Sequence, residues 1–143
     1  MKIAVVYWSG TGNTAAMADA VAEGAKGAGA DVNECMCMDF DQGSVASYDA
    51  LIFGCPAMGS EVLEEDDFGP MFEAILPKLA GKKVALFGSY GWGGGEWMRQ
   101  WEARVKDDGA RLIGQGLAVE NAPDEKGLAE CAALGEALVK ALA

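Results

Sequence analysis

The chain has 143 residues, of which 51% are hydrophobic and 20 are glycine, and its formal net charge is −11. Such a chain is long enough for one domain with one core, too apolar for disorder, and without an apolar run that could span a bilayer. The negative charge excludes a nucleic-acid partner and favours docking to basic patches on other proteins, while the lack of any histidine removes the commonest general base and metal ligand.

Residues 2–8 read as a strand, apolar throughout at Ile3-Ala4-Val5-Val6, which suits a parallel sheet covered on both faces. Asn13 to Gly27 reads as the first helix, ended by Gly27 and Gly29. Val32 to Met38 alternates and is expected at or near a sheet edge. Its Cys35 and Cys37 share a face, but no CxxC pair exists, so the four cysteines are expected as buried, reduced thiols. Tyr48 to Cys55 is expected as a central strand, followed by a glycine-rich, acidic loop from Met58 to Asp67. Pro70 suits the first turn of a helix running to Leu79, which Pro77 should kink or restart.

Val84 to Gly88 is the fourth strand, and Ser89 to Gly95 a glycine-rich aromatic loop. A helix from Glu96 to Lys106 carries Trp97 and Trp101 one turn apart. Leu112 to Val119 is the fifth strand, weakened by Gly114 and Gly116. Asp124 is placed to cap a last helix with the apolar stripe Leu128, Cys131, Leu134, Leu138 and Leu142. Strand and helix alternate five times, with a short link between strands two and three. The pattern predicts one domain over residues 1–143, an open α/β sheet with helices on both faces. With no apolar run long enough for a bilayer and no charged-then-apolar leader, a soluble, cytoplasmic protein is expected.

In such sheets ligands sit beyond the carboxyl ends of the strands. Three loops meet there. Ser9-Gly10-Thr11-Gly12-Asn13-Thr14 joins a strand to a helix N-terminus, where unpaired N–H groups and the helix dipole favour an anion. Three hydroxyls and an amide add donors, and no Lys or Arg lies between Lys2 and Lys26, so an anion here is held by neutral groups. The second loop offers Met58, Gly59 and Glu61, and the third offers Tyr90 and Trp92 between glycines. Trp92 lies where no regular element can bury it, which suits stacking on a flat ring, with Met58 as an adaptable surface opposite. Gly10-Thr11-Gly12-Asn13-Thr14-Ala15 also satisfies a dinucleotide fingerprint, with Asp39 or Asp41 as ribose ligand. The triphosphatase ending Gly-Lys-Ser/Thr is missing, Glu61 stands where a Cys-x5-Arg phosphatase needs arginine, and strand three ends Gly54-Cys55 without a receiver aspartate. The acidic run Glu61, Glu64, Glu65, Asp66, Asp67 reads either as a solvated face or as a docking and tuning surface at the mouth of the site.

The segments Tyr7-Trp8-Ser9-Gly10-Thr11-Gly12-Asn13-Thr14, Gly54-Cys55-Pro56-Ala57-Met58-Gly59-Ser60-Glu61 and Phe87-Gly88-Ser89-Tyr90-Gly91-Trp92-Gly93 closely resemble the three FMN-binding loops of short-chain bacterial flavodoxins, especially those of anaerobes. The resemblance covers the whole chain. It implies a flavodoxin-like, doubly wound five-stranded parallel sheet of order 2-1-3-4-5. Ser9, Gly10, Thr11, Gly12, Asn13 and Thr14 would hold the FMN phosphate. Pro56, Ala57, Met58, Gly59, Ser60 and Glu61 would bind the cofactor from the second loop, with Met58 and Gly59 on the ring's inner side and Glu61 accepting from its N3–H. Ser89, Tyr90, Gly91, Trp92 and Gly93 would line the ring's pyrimidine edge, with Trp92 stacked on its outer side. Where some relatives carry a hydroxyl this chain has Pro56, and where several carry Asp it has Ser60. The function implied is low-potential, one-electron carriage on FMN between semiquinone and hydroquinone by a monomer. Its partners would be reductases and ferredoxin-linked oxidoreductases, met through an acidic surface including Glu64, Glu65, Asp66 and Asp67, with no metal and no catalytic residue. The rival reading is a small FMN- or NAD(P)H-dependent oxidoreductase such as a quinone reductase.

Overall fold

Ile3, Val5, Ala4 and Val6 point alternately to the two faces of β1 (Lys2–Tyr7), and all four are fully buried. A strand apolar on both faces needs a helical layer on each side, and the computed structural model, which describes residues 1–143, supplies both. Ile3 and Val5 pack with Ile52, Ala85 and Phe87 under α1 (Asn13–Gly27) and α4 (Glu125–Leu142). Ala4 and Val6 pack with Leu51, Phe53, Val84 and Leu86 under α2 (Phe68–Ile75) and α3 (Glu96–Asp107).

All the strand pairings are parallel, in the order β2-β1-β3-β4-β5. β2 (Asp31–Met36) is an edge, and β3 (Ala50–Gly54) and β4 (Lys83–Tyr90) are central. β2 ends at Met36, two residues before the sequence reading, because Cys37–Asp39 turns into a 3-10 helix. β4 runs two residues longer than expected, so Ser89 and Tyr90 are strand residues rather than loop. The fifth strand is not continuous. β5 (Arg111–Leu112) and β6 (Leu117–Glu120) both pair with β4, and the pairing offset grows by two residues between Val84↔Leu112 and Phe87↔Leu117. Gly114, at φ 70°, makes the left-handed turn that the two extra residues require.

α1 and α4 approach closely through glycines. A Cβ on Gly135 would lie 2.1 Å from the Val21 carbonyl oxygen, and one on Gly24 would lie 2.0 Å from that of Ala132. This alters the expected stripe of α4. Cys131 and Leu138 are buried, but Gly127, Gly135 and Val139 share that face, while Leu128, Leu134 and Leu142 are half-buried. Asp124 caps α4 as expected, its Oδ1 accepting from Gly127 N at 2.8 Å. On the other face Trp101 sets its ring edge-on to Phe68 and Phe72, at 5.5 and 5.7 Å between centroids. Pro77 ends α2 and restarts the chain as a 3-10 turn, Leu76–Leu79.

Candidate functional site

β1, β3 and β4 end side by side, which brings the three loops together at one rim of the sheet. Between them lies a cavity of about 330 Å³. Gly10, Thr11, Asn13 and Thr14 line it from the first loop, Pro56, Ala57 and Met58 from the second, and Ser89, Tyr90 and Gly91 from the third. No charged side chain lines it.

The first loop is ordered from within. Ser9 Oγ accepts from Gly12 N at 3.2 Å and from Ala15 N at 3.1 Å. A serine oxygen has two acceptor positions and one donor, so its O–H is left to donate. Gly12, at φ 97°, turns the chain into α1, a conformation that glycine adopts without strain. The N–H groups of Thr11, Asn13 and Thr14 have no acceptor in the protein. Thr14 is 1% exposed, and its hydroxyl lies 2.9 Å from that of Ser89, which is 5% exposed. This pair ties the first loop to the end of β4, and one of its two protons remains free to reach an acceptor.

The second loop is a tight turn. Glu61 N donates to Met58 O at 2.7 Å, and Met58 N to Val62 O at 2.8 Å. The Gly59–Ser60 peptide is central to that turn, and a Cβ on Gly59 would meet nothing within 4 Å. Glu61, at φ 53°, then reaches across to the third loop. Its Oε1 accepts from Gly95 N at 3.2 Å and Glu96 N at 3.1 Å, capping α3, whose own cap residue Gly95 has no side chain to do so. Oε2 keeps its full acceptor capacity. A Cβ on Gly93 would lie 2.5 Å from Glu61 Oε1, so the chain after Trp92 runs against this carboxylate. Ser9, Gly12, Gly59, Ser60, Glu61, Trp92 and Gly93 are not in the wall of this cavity, and Glu61 instead lines the groove between α2 and α3. Met58 and Trp92 are the exposed apolar side chains of this rim, at 36% and 64%.

Two wall residues escaped the sequence reading, Trp8 and Asn121. Trp8 lies against Gly10, where a Cβ would come within 2.9 Å of the indole. An aromatic directly before a glycine turn was the available signal. Asn121 follows β6, at φ 58°, and its N–H donates to Tyr90 O at 2.7 Å. It occupies the carboxyl end of the fifth strand, the one such end that carried no expectation.

One expectation is corrected. Glu64 is not part of an acidic surface, being only 5% exposed. Its Oε1 accepts from Asp67 N and Phe68 N, and its Oε2 from Asp66 N, all within 2.8 Å. Burial alone would raise its pKa, but the donors from Phe68, Asp67 and Asp66 outweigh burial and hold the carboxyl below its usual range. Glu64 therefore builds the start of α2, while Glu65, Asp66 and Asp67 do face solvent.

A Flavodoxin family model matches residues 5–135. The chain belongs to the flavodoxin family. It is 52% identical to a flavodoxin of Megasphaera elsdenii over 97% of this chain and 99% of that protein. It is 51% identical to a flavodoxin of Clostridium beijerinckii over 85% of this chain and 88% of that one. The solution structure of two-electron reduced Megasphaera elsdenii flavodoxin superposes with a TM-score of 0.87, over 96% of this chain and 98% of that one, at 52% identity. Flavodoxins are FMN-binding electron carriers and not enzymes, which decides against the oxidoreductase reading. The strand order and the two helical layers are those of the flavodoxin fold.

Proposed function

We propose that this flavodoxin-family chain is a low-potential, one-electron carrier, monomeric and cytoplasmic, holding FMN in the cavity between the three loops. The observation that carries the reading is a phosphate-sized set of neutral donors at a helix N-terminus, opening into a cavity without any charged lining. The residues fit the group. The N–H groups of Thr11, Asn13 and Thr14 and the free O–H of Ser9 would hold the phosphate, with the Asn13 amide beside them. Gly10 and Gly12 let the backbone come close. Pro56, Ala57, Met58, Gly59 and Ser60 would face one side of the ring and Trp92 the other, with Ser89, Tyr90, Gly91 and Gly93 along its edge. Glu61 has Oε2 to offer the ring's N3–H while Oε1 holds α3.

FMN, when bound, supplies one-electron redox chemistry, here between its one-electron and fully reduced forms. The protein sets where that range lies. The phosphate site provides no counter-cation, Glu61 is close, and Glu65, Asp66 and Asp67 add negative surface. All three oppose further negative charge on the ring, and about 1.4 kcal/mol of opposition lowers a one-electron potential by about 59 mV. The Gly59 carbonyl sits in a peptide that can rotate without breaking the turn's closing hydrogen bond, and it would accept from the ring's N5–H. The exposed acids Glu65, Asp66 and Asp67 would dock basic redox partners such as reductases and ferredoxin-linked oxidoreductases, with rates that fall as salt rises. Four unpaired cysteines, three of them buried, accord with a reducing compartment.

The phosphate assignment is tested by fluorescence titration of the FMN-free protein with FMN and with riboflavin. Riboflavin, which lacks the phosphate, is expected to bind at least ~100-fold more weakly, the loss of two or more hydrogen bonds to a charged group. Equal affinities would refute it.

A further inference from the structure

Trp92 is carried on an arm of chain with little to hold it. Gly91 precedes it, Gly93, Gly94 and Gly95 follow it, and the indole is exposed. Glycines have no side chain to pack and the most conformational freedom to lose. The arm is tied at its two ends. Before it, Tyr90 O accepts from Asn121 N at 2.7 Å, and after it Gly95 N donates to Glu61 Oε1 at 3.2 Å. Along residues 91–94 a single hydrogen bond reaches the backbone, from Arg99 Nη1 to Gly94 O at 2.7 Å.

Arg99 stands near the N-terminus of α3, where the helix dipole disfavours a cation, so helix stability does not explain its place. Its guanidinium is oriented by Glu96, whose Oε2 accepts from Nε at 3.2 Å and from Nη2 at 2.7 Å. That fork fixes the plane of the group and leaves Nη1 to reach Gly94. Glu61 and Arg99 thus grip the arm in complementary ways. The carboxylate takes the N–H groups of Gly95 and Glu96, and the guanidinium takes the Gly94 carbonyl. An exposed ion pair such as Arg99 with Glu96 adds little to the stability of a fold. The consequence of this one lies in the order of the arm.

We infer that Arg99 is a positioning residue for the flavin, holding the arm through Gly94 so that Trp92 stands ready for the ring before the cofactor arrives. The inference rests on FMN lying against Trp92. Without the clamp, binding has to order the arm as well as the cofactor, and affinity falls accordingly. The phosphate end is untouched, so FMN and riboflavin lose alike.

The test compares the wild-type protein with Arg99→Ala and Arg99→Lys. In the FMN-free, 15N-labelled protein, the heteronuclear NOE of the backbone N–H groups of residues 91–94 reports the fast motion of the arm. Arg99→Ala is expected to lower those values while the urea midpoint stays unchanged. It is expected to weaken FMN and riboflavin by one common factor, about fivefold, as the loss of one hydrogen bond does. Arg99→Lys keeps the charge but not the fork, and is expected to behave as Arg99→Ala does. Four results would each overturn the inference: unchanged motion of residues 91–94 in Arg99→Ala, a loss of affinity for FMN alone, a urea midpoint that falls with the affinity, or wild-type behaviour of Arg99→Lys. Wild-type protein that fails to bind FMN would refute the proposed function as well, a result distinct from all four.

Discussion

Glu64 illustrates how one side chain's surroundings decide its role. Its neighbours in sequence, Glu65, Asp66 and Asp67, are exposed, while its own carboxylate receives three backbone N–H groups at the start of α2. Because its pKa in the folded chain lies below the unfolded value, its contribution is fully present above the unfolded pKa. The contribution is lost as pH falls through the folded value. Glu64→Gln, which sets an amide donor against donors, is expected to cost about 1–3 kcal/mol at pH 7. That difference should shrink in acid, as thermal melts between pH 7 and pH 3 would record; a cost that grows toward pH 3 would refute the assignment. The sequence could not distinguish Glu64 from Glu65, since burial of a carboxylate depends on which backbone N–H groups the fold turns toward it. At Trp92 the sequence was informative, because flanking glycines leave a large ring no regular element to hide in, and the side chain is exposed.

Between elements, the deciding contact is that of α1 on α4. Gly24 and Gly135 admit each other's partner backbone to distances that no Cβ would allow. Gly135→Ala is expected to destabilise the protein by about 1–3 kcal/mol, as overpacking of a well-filled core does. Urea unfolding would measure it, and an unchanged midpoint would contradict the close approach. The control Gly27→Ala, whose Cβ would meet nothing within 4 Å, should be neutral or slightly stabilising. Apolar periodicity found α4 and its cap at Asp124, but chose leucines for its buried face. Periodicity weighs hydrophobic side chains, and at this contact the helices pack through residues that have none. The broken fifth strand was half legible for a similar reason. Gly114 and Gly116 signalled weakness, but the two-residue change in register depends on pairing with β4, which no local pattern reports.

Across the whole molecule, 22 acidic residues against 11 basic ones give a negative field, which under the proposed function would act on the flavin and on partners together. The combined variant Glu65→Gln, Asp66→Asn, Asp67→Asn is expected to raise the lower potential of bound FMN at low salt. It should also slow electron transfer from a basic reductase, with both effects fading as salt increases. Glu64→Gln should leave the docking rate unchanged, since that carboxylate is buried. Equal effects of the two variants on the docking rate would contradict the division between Glu64 and its exposed neighbours. Family, fold order and the three loops were readable because each is carried by local motifs in a fixed order. Asn121 and the Glu61 cap on α3 were not, because each acts across a distance in sequence, on Tyr90 and on Gly95 and Glu96.

Holding FMN among neutral donors and negative surface would let this chain carry single electrons at low potential. Spectroelectrochemical titration of the FMN-loaded protein, beside Gly59→Ala, tests it most directly. Two separate one-electron steps are expected, the lower well below that of free FMN, with the separation narrowed in Gly59→Ala. A single two-electron step at the potential of free FMN, unaltered by Gly59→Ala, would contradict it.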